Sequence, residues 1–127
     1  MRHLEMNTKE LLGILNCAVL VLDGSKCVVY MNQSGEMLFG QSHQRAVGES
    51  VVQLLRGDDF FEHLDLAMQQ RDPHSLRECV VEVAGGELIT IDCILTPLTL
   101  EQWPQHLLLE FQRVDRQLRI VRAEQMI

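Results

Sequence analysis

The chain has 127 residues, 46% hydrophobic and 23% charged, with a formal net charge of −7. This suits one domain able to bury a core without disulfides or a metal, and it excludes a disordered chain and disfavours a phosphate backbone as partner. The longest uninterrupted apolar run, Cys17–Leu22, is far short of the ~20 residues of a membrane helix, and the opening MRHLEMNTKELLG lacks the apolar stretch of a signal peptide.

Asn7 with Glu10 three positions on has the spacing of a capping box. Leu11, Leu12, Ile14 and Leu15 follow, which predicts a short amphipathic helix over 8–15. Two β-branched apolar runs come next, CAVLVLD (17–23) and CVVYMN (27–32), and Asp23-Gly24 between them is a hairpin signal. Asn32 can cap a helix over 33–39, which Gly40 would close. Ser42 starts a further helical turn and Gly48 ends that section.

Asp58 and Asp59 suit the first turn of a helix through its dipole. Phe60, Phe61, Leu64 and Ala67/Met68 recur at helical spacing, so the helix is expected to run to about Gln70, with Pro73 stopping it. The last third changes period. Strands are expected over 76–83, 88–97 and 105–113, the last two with apolar residues at every second position. Gly85-Gly86 supplies one turn, and a longer loop over 98–104 carries the single Trp. From Val114 the pattern is helical again, with Val114, Leu118 and Val121 on one side. Arg113, Arg116, Arg119 and Arg122 of this tail read as a solvated face, with docking of an acidic partner as the alternative.

The order of elements defines an α+β fold: a five-stranded antiparallel sheet, short helices on one face, and flanking N- and C-terminal helices. The expected division is 1–15 for an N-terminal helix and dimer contact, 16–113 for the domain, and 114–127 for the start of a signalling helix.

The stretch AVLVLDGSKCVVYMNQSGEMLFGQSHQRAVGESVVQLL resembles the PAS signature, with Asp23, Asn32, Phe39, Gly40 and Gly48 at the matching places. Asp23, Asn32, Gly40 and Gly48 are taken as the residues that define the fold. The tail LLLEFQRVDRQLRIVRAEQ (107–125), the ILTPL run (94–98) and the opening LLGILNCAVLVLD (11–23) resemble the NtrB family of nitrogen-regulation sensor histidine kinases. That resemblance implies a cytoplasmic homodimer, a cognate response regulator and the PII signal protein as partners, and ATP as a cofactor of a kinase domain. The family's phosphoacceptor box, His-Glu-x-x-Asn-Pro, is absent, since none of the histidines (3, 43, 63, 74, 106) begins one, and Gly-rich nucleotide loops are absent too. The sequence therefore reads as a non-catalytic sensor portion with no cofactor of its own. Leu11, Leu12 and Leu15 are the expected dimer surface, and Val114, Leu118 and Val121 the expected transmitter.

The alternative is a receptor for a small ligand or haem. His63, on the long helix, is the one candidate for an iron ligand, although Glu62 and Asp65 flank it. Flavin photochemistry would need a reactive cysteine on a helix, whereas Cys17, Cys27, Cys79 and Cys93 all fall on or beside strands and include no Cys-x-x-Cys pair. Asp58 and Asp59 are neighbours on a helix and point about 100° apart, so they do not converge as catalytic carboxylates. Met31, Met37, Met68, Phe39, Phe60, Phe61 and Leu64 either line a small pocket or fill the core, and their bulk favours the core.

Overall fold

The apolar runs at 17–23 and 27–32 become strands, and Asn32 and Ser42 each begin a helix. The computed structural model describes residues 17–114. The predicted helix over 8–15, with Leu11, Leu12 and Leu15, and the predicted transmitter positions Leu118 and Val121 lie outside the described residues.

The elements are β1 (Ala18–Leu22), β2 (Val28–Met31), α1 (Gln33–Phe39), α2 (His43–Ala46), a 3-10 turn (Val51–Gln53), β3 (Leu55–Arg56), α3 (Asp58–Gln70), β4 (His74–Val83), β5 (Leu88–Leu98) and β6 (His106–Arg113). The strands form one antiparallel sheet in the order β2-β1-β6-β5-β4-β3. Six strands replace the expected five. The extra one, β3, pairs Leu55 with Val83 and Arg56 with Glu82, and two residues are too few to display the period-two pattern by which strands are read.

Alternation places one face of the sheet inward. Ala18, Leu20, Leu22, Ile89, Ile91, Cys93, Leu95, Leu107, Leu109 and Phe111 share a single core with Phe39, Phe60, Leu64 and Ala67 of the helices. In α3 the buried residues Phe60, Leu64 and Ala67 follow the i, i+4, i+7 spacing of one helix face.

In β4 the alternation breaks. Leu76 pairs with Cys93 and Cys79 with Ile91, so Arg77 and Glu78 together oppose Asp92 as a β-bulge. Glu78 adopts a left-handed conformation (φ 52°) and its N–H donates to Asp92 Oδ1 at 2.8 Å. At the other end of the described residues, the Val114 N–H donates to Thr90 O at 2.9 Å, so the ladder carries on one residue past β6.

Candidate functional site

Among the described residues Asn32 is the one buried polar side chain of the core, and it joins three elements. Its Oδ1 accepts from the N–H of Val19 (2.9 Å) in β1 and of Gly35 (2.8 Å) in α1, while its Nδ2 donates to Cys17 O (3.0 Å). The side chain therefore caps α1 and extends the β1–β2 pairing in one move. At the far end of α1, Gly40 takes the left-handed conformation (φ 68°, ψ 31°) and its N–H closes on Glu36 O. Gly48 also has a positive φ, 90°, where its N–H returns to Val28 O.

The hairpin at Asp23 is built differently from the expectation. Asp23 Oδ1 accepts from the N–H of Ser25 (2.8 Å) and of Cys27 (3.0 Å). Gly24 is not the left-handed residue of the loop. That conformation falls on Lys26 (φ 66°), at the bulge position that follows a type I turn and usually holds glycine. The Lys26 ammonium forms an ion pair with Asp65 of α3, which tethers the turn to the helix.

α3 likewise ends by its own geometry, before Pro73 is reached. Arg71 adopts the left-handed conformation (φ 55°, ψ 36°) and its N–H closes on Ala67 O. Its guanidinium donates to Leu98 O (2.7 Å) and to His106 O (3.4 Å), across the mouth of the β5–β6 hairpin. Lys26, Asp65, Met68, Arg71 and Gln105 line an open cleft of about 510 Å³ at this end of the sheet. Sequence reading missed it, because these residues come from two loops and the end of a helix, and nothing in a lysine or arginine announces a left-handed backbone.

Asp58 and Asp59 occupy the first turn of α3, preceded by Gly57, which offers no side-chain cap. Their role there is with the helix dipole rather than as caps.

The residues weighed as pocket lining mostly fill the interior. Phe39, Phe60 and Leu64 are fully buried, Met31 nearly so, and Phe61 and Met68 pack against the core from its margin. Phe111 of β6 is stacked on Phe60 (5.8 Å) and edge-on to Phe39 (5.0 Å), so aromatic rings fill the space between helices and sheet. Met37 departs from the group: it is 80% exposed, on the outer side of α1.

His63 is half-buried. Its Nδ1 lies 2.9 Å from Asp59 O, to which it donates, and its ring stands edge-on to that of His74. Among the described residues no group of three or more His, Cys, Asp or Glu is placed to hold a metal ion.

Cys79 and Cys93 are buried, whereas Cys17 and Cys27 are half-buried. Burial pushes the Cys93 thiol far above its ordinary range, with Cys79 and Glu110 adding to the shift. Burial, then Asp59, raises Cys79. Neither is a thiolate nucleophile at neutral pH.

Comparison with known proteins agrees with this architecture. The model of the PAS fold family matches residues 4–114, and the chain belongs to that family. Over 124 residues it is 31% identical to the sensory histidine kinase/phosphatase NtrB of Vibrio alginolyticus, an alignment covering 91% of the chain and 33% of that protein. The chain thus spans a third of the length of the curated relative it matches, and it is a PAS domain related to the one in NtrB. Among solved structures, the PAS domain of nitrogen regulation protein NR(II) from Vibrio parahaemolyticus superposes with a TM-score of 0.73 at 24% identity, covering 84% of this chain and 97% of that one. A blue-light activated histidine kinase of Erythrobacter litoralis gives a TM-score of 0.69 at 20% identity over 92% of this chain and 42% of its own. Likeness at these identities is a likeness of fold. No helix among the described residues is long and apolar enough to cross a membrane.

Proposed function

We propose that this chain is the regulatory sensor and dimerisation domain of an NtrB-like two-component histidine kinase controlling nitrogen-assimilation genes. In this reading it works in the cytoplasm as a homodimer, does no chemistry itself, and takes no cofactor. ATP, the phosphoacceptor histidine, the cognate response regulator and the PII signal protein belong to the whole kinase. The observation that carries the reading is the 31% identity to NtrB over 91% of the chain.

The packing supports a module that relays a conformational bias in preference to a haem receptor, because Phe39, Phe60 and Phe111 occupy the interior. A relay needs an element with two states that an input shifts. β1 and β6 are neighbours, with Ala18 opposite Phe111, so a change in one strand is felt by the other. Leu11, Leu12 and Leu15 are assigned to the dimer contact, and Val114, Leu118 and Val121 to the transmitter.

The test is a chimera in which residues 1–127 replace the corresponding segment of the Vibrio alginolyticus NtrB. Phosphorylation of its response regulator should still respond to nitrogen supply. A chimera that accumulates, autophosphorylates and gives the same output at every nitrogen level overturns the reading.

A further inference from the structure

The loop end of the sheet carries a site that the relay reading leaves unused. The cleft of about 510 Å³ is walled by the Asp23–Cys27 turn, the second half of α3 and the approach to β6. That volume suits a small molecule. In a chain of net charge −7, its wall presents two cations, Lys26 and Arg71, and one anion, Asp65.

The backbone marks the same place. Among the described residues, Lys26, Arg71 and Glu78 are the non-glycine residues with positive φ, and two of these three line the cleft. Glycine or asparagine holds this conformation more easily than a long side chain does. Side chains kept in such a conformation cluster where they are needed for binding. The Arg71 guanidinium is already oriented by the carbonyls of Leu98 and His106. That leaves several of its five N–H donors for a ligand. The Lys26–Asp65 pair is exposed, with the two side chains 39% and 48% accessible, so a ligand can open it at little cost.

We propose that this cleft binds a free α-amino acid. The carboxylate is taken by Arg71 and Lys26 and the ammonium by Asp65, while the side chain lies along Met68 and Pro104. A zwitterion replaces one exposed ion pair with two. A simple carboxylate would face Asp65 unpaired, and a simple amine would face Lys26 and Arg71. Bound ligand would link the β1–β2 turn, α3 and the β5–β6 loop. The proposal rests on these residues alone and does not depend on the kinase reading, so the chimera experiment and this one fail independently.

The experiment is a titration of the isotope-labelled 127-residue chain, followed by amide NMR shifts, with each common amino acid and with propionate and ethylamine as controls. At least one amino acid should give saturable shifts confined to 24–27, 65–71 and 105–106, with a Kd below about 1 mM. Affinity should fall at least about tenfold in Lys26→Met and in Asp65→Asn. Arg71→Lys, which keeps the charge and loses the planar fork, should also weaken binding. The free spectrum of each variant reports whether it folds, and the three variants are judged separately. Absence of saturation with every amino acid, shifts mapping elsewhere, equal binding of propionate, or unchanged affinity in the folded variants overturns the proposal.

Discussion

Replacing Asn32 with Ala removes an oxygen and a nitrogen that together serve three backbone groups. The N–H groups of Val19 and Gly35 lose their acceptor and Cys17 O loses a donor. Val19 is fully buried and Gly35 is buried, so water does not readily replace the acceptor. A buried group left unpaired costs about 1–3 kcal/mol. Two such donors give about 2–6 kcal/mol. Against a total stability of about 5–15 kcal/mol for a domain, that is a large share of the whole. Ser42→Ala is the control: its hydroxyl accepts one long bond, 3.3 Å from the Arg45 N–H at an exposed helix start, and its loss should cost about 0.5–1 kcal/mol. Urea unfolding followed by circular dichroism measures both through the shift in midpoint at constant slope. If Asn32→Ala costs no more than Ser42→Ala, Asn32 is not the joint between β1 and α1 and the account of the hairpin–helix junction is wrong.

Three further outcomes follow from the packing. Gly35→Ala should destabilise by about 1–2 kcal/mol in the same assay, because the added methyl would lie 2.7 Å from Met31 Cγ, outweighing the gain in helix propensity, whereas Gly24→Ala, with nothing nearer than 3.8 Å, should stay within about 0.5 kcal/mol of the parent. Raised thiol pKa values make the folded state favour the protonated form, so their contribution is complete below the ordinary thiol value of 9.0 and is lost as pH rises above it; stability should fall by up to about 1.4 kcal/mol per pH unit for Cys93, and Cys93→Ala should flatten that alkaline limb. A thiol reagent at neutral pH should modify Cys17 and Cys27 in the native chain and reach Cys79 and Cys93 only after denaturant is added, as counted by mass spectrometry; rapid native labelling of Cys93 would contradict its burial.

What the sequence made legible was punctuation and period. Asn32 and Gly40 carry side-chain and backbone properties that act locally, so α1 runs over Gln33–Phe39 as predicted. The strict alternation of β5 and β6 needed no tertiary knowledge. The remainder depends on partners distant in the chain. β3 exists because Leu55 and Arg56 meet Val83 and Glu82, not because two residues prefer a strand. The bulge at Arg77-Glu78 is held by Asp92, from the next strand. Met37 has the composition of a core residue, yet the face of α1 that packs is fixed by Gly35 and Phe39. The cleft at Lys26 and Arg71 was invisible for the same reason, since its walls come from two loops and the second half of α3, and its mark is a backbone conformation that those residue types do not advertise.

The pairing of Ala18 with Phe111 has a consequence for how such a domain is used. Antiparallel neighbours in a sheet lie about 5 Å apart, so within the described residues the polypeptide enters and leaves the sheet almost at one point. A unit with that property can be spliced into a longer protein like a bead hung from a string, without lengthening the path between the parts on either side. The same adjacency means a short linker could join the chain at Ala18 to the chain at Phe111, with new ends opened at Gly85-Gly86, where the β4–β5 turn is exposed. Modularity of this kind is a property of strand order, available to any sequence that folds this way whatever it detects.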